Sequence, residues 1–133
     1  MRPGLPAIDG DTAPFWVACK EGRLVLQRCL DCDALQHYPR SLCLSCASQR
    51  LDFVDASGSG VVHSYTVVHR SPDPERLPAP YVVALIRLDE GPMIMSNVIG
   101  ADPETIYCEQ PVTVEFVDLE DGNRLPVFRP ATG

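Results

Sequence analysis

Cys29-Leu30-Asp31-Cys32, then ten residues, then Cys43-Leu44-Ser45-Cys46 is the stretch that decides what the first part of this chain becomes. Each pair leaves a two-residue gap, the spacing at which a tight turn aims two sulfurs and the amides behind them at one tetrahedral ion. Two thiolates alone leave zinc half-coordinated, so a second knuckle is required. Leu35-Gln36-His37-Tyr38 between the knuckles is extended enough to fold one over the other. Cys29, Cys32, Cys43 and Cys46 are therefore expected to hold one zinc ion per chain. Four sulfurs close the coordination shell, which makes the metal structural rather than catalytic. A redox Cys-x-x-Cys pair would not need the second copy. His37 is expected as a surface strand residue, not a ligand.

Working back from the ribbon, Leu24-Val-Leu-Gln-Arg28 reads as a strand feeding the first knuckle, and Ala13 to Glu21 as one short helix. Thr12 suits its N-cap, Pro14 its first turn, and Lys20 and Gly22 its end. The helix carries Phe15, Trp16 and Cys19. It is too short to persist alone, so its aromatics must dock, either on a partner or between helix and barrel. Working forward, the pattern turns β from Leu51. Gly60 to His69, Tyr81 to Leu88 and Met93 to Val98 are rich in β-branched and large apolar residues. Asp102-Pro103 opens a short helix; Val112 to Val117 and Leu125 to Phe128 flank a turn at Asp121-Gly122. Three strands, a helix and two strands is the element order of a five-stranded OB-fold barrel. The expected division is 1–22 for an arm and helix, 23–50 for the ribbon, and 51–133 for the barrel domain.

Composition narrows the function. In 133 residues, 45% hydrophobic, a core is affordable. The net charge is −7, and zinc on four thiolates makes it more negative still. Such a surface repels phosphate backbones, and aromatics are only 7%, so a nucleic-acid-binding OB-fold is disfavoured although the architecture invites it. The apolar runs, such as Tyr81 to Ile86, are too short to span a bilayer, and no apolar leader is visible after Met1. A cytoplasmic location without membrane attachment is expected. Ten of the eleven basic residues are arginine, which suits a few well-placed contacts with phosphate or carboxylate.

Several stretches together carry a family resemblance. They are Phe15-Trp16, Glu21-Gly22-Arg23-Leu24, Gln27-Arg28-Cys29, His37-Tyr38-Pro39-Arg40, Thr66-Val-Val-His69-Arg70, Pro80-Tyr81-Val-Val-Ala-Leu85, Ser96-Asn97-Val98-Ile99-Gly100 and Leu125-Pro126-Val-Phe128. In this order they resemble the acyl-CoA-associated zinc-ribbon/OB-fold family known as domain of unknown function 35. The resemblance implies a mainly β protein with a short N-terminal helix, a rubredoxin-like zinc ribbon and a C-terminal OB-fold. It further implies a non-catalytic companion of a thiolase-like enzyme, a sterol-carrier-type thiolase or an aldolase of steroid side-chain CoA thioesters, or else of a hotdog-fold enoyl-CoA hydratase. Because such partners are generally dimers, a heterotetramer is expected. Family knuckles commonly place glycine after the second cysteine; here Asp33 and Ala47 stand there.

Catalytic machinery is not expected: no Ser-His-Asp or Cys-His order has a recognisable local context. His63 alternates with Tyr65 and Val67 on one strand face and is read as packed or surface. Cys19 and Cys108 are read as packed thiols. Candidate contacts to a coenzyme A thioester or to the partner are Arg40, His69, Arg70, Arg76, Tyr81 and Asn97, together with Phe15 and Trp16. A stand-alone acyl-CoA enzyme or carrier is the remaining alternative.

Overall fold

The computed structural model describes residues 10–75 and 77–131. Helix α1 (Ala13–Lys20) presents Phe15, Trp16, Ala18 and Cys19 inward. It ends where Gly22 takes a left-handed φ of 78°. Gly22 N donates to Cys19 O and Arg23 N to Ala18 O, a doubly bonded helix stop that a side chain at Gly22 would strain. Thr12 precedes the helix without a side-chain cap bond.

Strands β1 (Val25–Cys29), β2 (Leu35–Gln36) and β3 (Leu51–Asp55) form a three-stranded antiparallel sheet in the order β2-β1-β3. The sheet therefore recruits Leu51–Asp55, which follows the second knuckle, as its third strand. β4 (Ser59–Val68), β5 (Tyr81–Leu88), β6 (Met93–Val98), β7 (Pro111–Asp118) and β8 (Arg124–Pro130) close a barrel in the order β4-β5-β6-β8-β7. That is the five-stranded Greek-key order expected of an OB-fold. The helix expected at Asp102 is a single 3-10 turn, Pro103–Thr105, capped by the Asp102 carboxylate accepting from Glu104 N.

Alternation along β5 and β6 places Val82, Ala84, Ile86, Leu88, Ile94 and Val98 inside, where they meet Val62, Val112 and Phe128. Phe15 and Trp16 join the same core, edge to face with ring centroids 4.9 Å apart. Fully burying such a side chain is worth about 1.5–3 kcal/mol, so packing rather than propensity holds this eight-residue helix.

Two features depart from simple alternation. A bulge separates the pairs Val62↔Ile86 and Ser64↔Leu85, leaving His63 as the extra residue. The phase flips there: Tyr65 and Val67 pair with the inward-facing Ala84 and Val82 as Val62 does with Ile86, so His63 does not share their face, although Tyr65 is itself 39% exposed. Closure is also uneven. β6 meets β8 through the single pair Val98↔Phe128, with Ile99 N donating to Phe128 O, so the closed barrel is joined by the fewest strand pairs beside Met93–Asn97.

Candidate metal centre and docking face

The two knuckles are built alike. In the first, Cys29 N donates to Ala34 O and Asp33 N to Cys29 O; in the second, Cys43 N donates to Ser48 O and Ala47 N to Cys43 O. Both turns need a left-handed residue after the second cysteine, and Asp33 and Ala47 adopt it at φ 62° and 63°. Glycine would sit there without strain; aspartate tolerates the region better than alanine does.

The four sulfurs all lie within 4.8 Å of one another, with Cys29 to Cys46 and Cys32 to Cys43 at 3.6 Å. Zinc–sulfur bonds of about 2.3 Å in a tetrahedron separate sulfurs by roughly 3.8 Å, so the set fits zinc. Amides aim at the sulfurs: Asp31 N and Cys32 N at Cys29 Sγ, and Ser45 N at Cys43 Sγ. The amide of Cys32, then that of Asp31, brings the Cys29 thiol down to about 7, and the amide of Cys46 likewise lowers Cys43. Such donors stabilise thiolates, the form that binds metal. All four positions would be filled by protein, so a zinc held here cross-links the ribbon and offers no open site for substrate.

A buried pair of glutamines fixes the loop between the knuckles. Gln36 Nε2 donates to Gln27 Oε1, Gln27 Nε2 to Arg40 O, and Arg40 N back to Gln27 Oε1. Gln36 also bonds Leu42 O and Leu44 N. The first knuckle is tied to the ribbon's exit, where Asp31 accepts from Ser48 Oγ and Arg50 Nη1. Sequence reasoning passed over these glutamines. The available signal was a polar residue inside the otherwise apolar run Leu24-Val-Leu-Gln27.

His37 corrects the surface expectation. Its ring lies 5.1 Å from Phe15 and 3.9 Å from Tyr38, and its Nε2 is buried with no hydrogen-bond partner among the described residues. Burial lowers its pKa from 6.5 to about 4, so the imidazole is neutral at physiological pH. Cys108 departs the other way: it is exposed in the turn after Ile106 and not packed. Cys19 is fully buried, which pushes its thiol up to about 12 and makes it inert.

The remaining candidates divide by location. His69 and Arg70 are exposed just past the end of β4; Tyr81, opposite Val68, and Asn97 on β6 are half-buried at the same end of the barrel. Asn97 Nδ2 donates to Val82 O. Arg70 has no ion pair among the described residues. Arg40 is exposed on the ribbon loop. Arg76 lies outside the described residues. Phe15 and Trp16 are 2% and 6% exposed, so they are packed within the chain and do not project as free aromatics.

Helix, ribbon and barrel meet over this β6–β8 junction. A cleft of about 170 Å³ there has Phe15, Trp16 and His37 on one wall and Ile94, Leu125 and Pro126 on the other. Tyr38 and Met95 stand at its rim, both exposed.

Two family models match the chain. Residues 16–52 match the family model described as the ChsH2 rubredoxin-like zinc ribbon domain, and 53–117 match that of the ChsH2 C-terminal OB-fold domain. The chain belongs to the DUF35 family. A DUF35 domain-containing scaffold protein of Methanocaldococcus jannaschii is 33% identical over 75% of this chain and 72% of its own length. A probable enoyl-CoA hydratase alpha subunit of Thermomonospora curvata is 43% identical over 98% of this chain. The 3-oxo-4,17-pregnadiene-20-carboxyl-CoA hydratase alpha subunit of Mycobacterium tuberculosis is 34% identical over 87%. This DUF35 chain spans only 40% and 37% of the length of those two alpha subunits. Among solved structures, a chain of the Ltp2-ChsH2(DUF35) aldolase superposes with a TM-score of 0.90 at 42% identity, covering 96% of this chain and 100% of that one. No described helix is long and apolar enough to cross a membrane.

Proposed function

We propose that this chain is a non-catalytic companion subunit that docks on a thiolase-like enzyme and supports binding or channelling of its CoA-thioester substrate. The observation that carries the reading is the match, over nearly the whole chain, to the ChsH2(DUF35) component of an aldolase. Two features of the molecule support it. The cysteine set leaves a bound zinc no open position, and the described histidines, cysteines and carboxylates make no nucleophile–base pair. Arg70, which makes no ion pair among the described residues and follows β4 at the end where Val68 pairs with Tyr81, offers a cation to a CoA phosphate. Structural zinc is the cofactor, coenzyme A thioester a ligand shared with the partner, and a heterotetramer the assembly. The names of the hydratase alpha subunits favour a second reading, in which the same companion role serves an enoyl-CoA hydratase.

The test is an acyl-CoA turnover assay of the chain alone and mixed with the Ltp2 subunit of the similar aldolase. The chain alone should be inert, the mixture active, and Arg70→Ala should raise the apparent KM of the mixture severalfold without dissociating it. Turnover by the isolated chain, abolished by one substitution, would overturn the companion role.

A further inference from the structure

The four ribbon cysteines differ in a way that holding a metal does not require. In each knuckle the first is buried and the second exposed: Cys29 and Cys43 are 1% and 3% exposed, whereas Cys32 and Cys46 stand at the surface. A reagent arriving from solvent therefore meets one sulfur of each knuckle and not the other. The sulfurs also meet across the knuckles. The exposed Cys46 Sγ lies 3.6 Å from the buried Cys29 Sγ, and the exposed Cys32 Sγ lies 3.6 Å from the buried Cys43 Sγ. The buried member of each pair accepts backbone amides, from Asp31 and Cys32 at Cys29 and from Ser45 at Cys43. Such donors favour the thiolate, which is the form that attacks in disulfide chemistry. The two other thiols stand apart from this set: Cys19 is sealed in the core, and Cys108 lies in the turn before β7.

We infer that the ribbon is a modification site for a hydroperoxide, in which Cys32 and Cys46 are the attacking thiolates, Cys43 and Cys29 resolve them, and two crossed disulfides take the place of the metal. The Cys46 thiolate attacks one oxygen of hydrogen peroxide; the S–O bond forms, the O–O bond breaks and hydroxide leaves, giving a sulfenic acid. The Cys29 thiolate then attacks that sulfur; the S–S bond forms, the S–O bond breaks and a second hydroxide leaves. Two thiolates have lost two electrons and the peroxide has gained them. Two protons from solvent convert both hydroxides to water. Cys32 and Cys43 repeat the sequence with a second peroxide. Thiolates bind zinc and disulfides do not compete with them, so the modified ribbon gives up its metal. None of the four ligands belongs to the core shared by helix and barrel, so the change is confined to the ribbon.

The experiment treats the zinc-loaded full chain with up to two equivalents of hydrogen peroxide and follows free zinc with a chromophoric chelator, against a peroxide-free control. The product is then alkylated, digested with trypsin and weighed. Trypsin cleaves after Arg28, Arg40 and Arg50, so each knuckle leaves on its own peptide, 29–40 and 41–50. Zinc should be fully released by two equivalents, the two peptides should be joined by disulfides, and dithiothreitol with fresh zinc should restore full metal content. Cys108→Ser should release zinc as fast as the unsubstituted chain. Zinc retained while Cys108 alone is oxidised would overturn the proposal. So would two separate peptides, each closed by its own internal disulfide, or oxidation that dithiothreitol does not reverse. Slower release from Cys108→Ser would make that thiol the point of entry and defeat the assignment of Cys32 and Cys46.

Discussion

His37 is a titratable ring packed against Phe15 and Tyr38, and its environment has a consequence for pH. The folded-state value is about 4 against the ordinary 6.5. Between those values the unfolded chain takes up a proton that the folded chain refuses, so stability falls as pH drops from about 6.5 toward 4. The slope is at most about 1.4 kcal/mol per pH unit. Thermal melts of the His37→Phe variant should lack this component, and the difference between the two proteins across that range should grow as pH falls. A constant difference between their Tm values would contradict it. Other residues show why some of this was readable in advance and some was not. The cysteine ligands are legible because metal chemistry demands one residue type at one spacing. The burial of His37 is not, because it depends on α1 folding back over the ribbon, a contact between segments remote in sequence. His63 fails for a related reason: a bulge is one extra residue, and nothing in an alternating run marks where the phase flips.

At the scale of elements, the ribbon is held by two devices of unequal strength. Metal ligation of four thiolates is the larger, and the glutamine pair that ties β1 and β2 to the 40–44 loop is the smaller. Cys32→Ser should lose zinc and unfold the ribbon, because a three-sulfur site no longer closes the tetrahedron. Gln36→Leu should keep zinc but release it faster to a chelator, since Leu42 O and Leu44 N lose their partner at the approach to the second knuckle. Cys19→Ser should retain full metal, its thiol being remote from the ligand set. Metal analysis and the kinetics of zinc transfer to a chromophoric chelator check all three. Equal release rates for Gln36→Leu and the unsubstituted chain would show that the network does not support the knuckle. The knuckles and the strands of the barrel were legible from spacing and alternation, with ends shifted by a residue or two. The network was not, since a polar residue in the apolar run Leu24-Val-Leu-Gln27 marks a buried glutamine without naming the groups that it bonds.

For the whole molecule, the decisive feature is the uneven closure of the barrel. β4, β5 and β6 form a meander paired along their lengths, and β7 with β8 a hairpin with seven matched pairs, Val112↔Pro130 through Asp118↔Arg124. Three pairs join β4 to β7, and one joins β6 to β8. The molecule therefore has a natural parting line, and native-state hydrogen exchange should find it. Amides within the meander and within the hairpin should exchange only through global opening, whereas the Ile99 amide, which spans the parting, should be released through a smaller sub-global fluctuation. Uniform protection of Ile99 and the meander amides would refute this. The buried Ser96 hydroxyl, donating to Pro126 O across the same line, helps hold it shut. A partner seated over that line would suppress the fluctuation and slow exchange at Ile99 without touching its hydrogen bond, so the protein's own breathing becomes a reporter of whether it is alone or in complex.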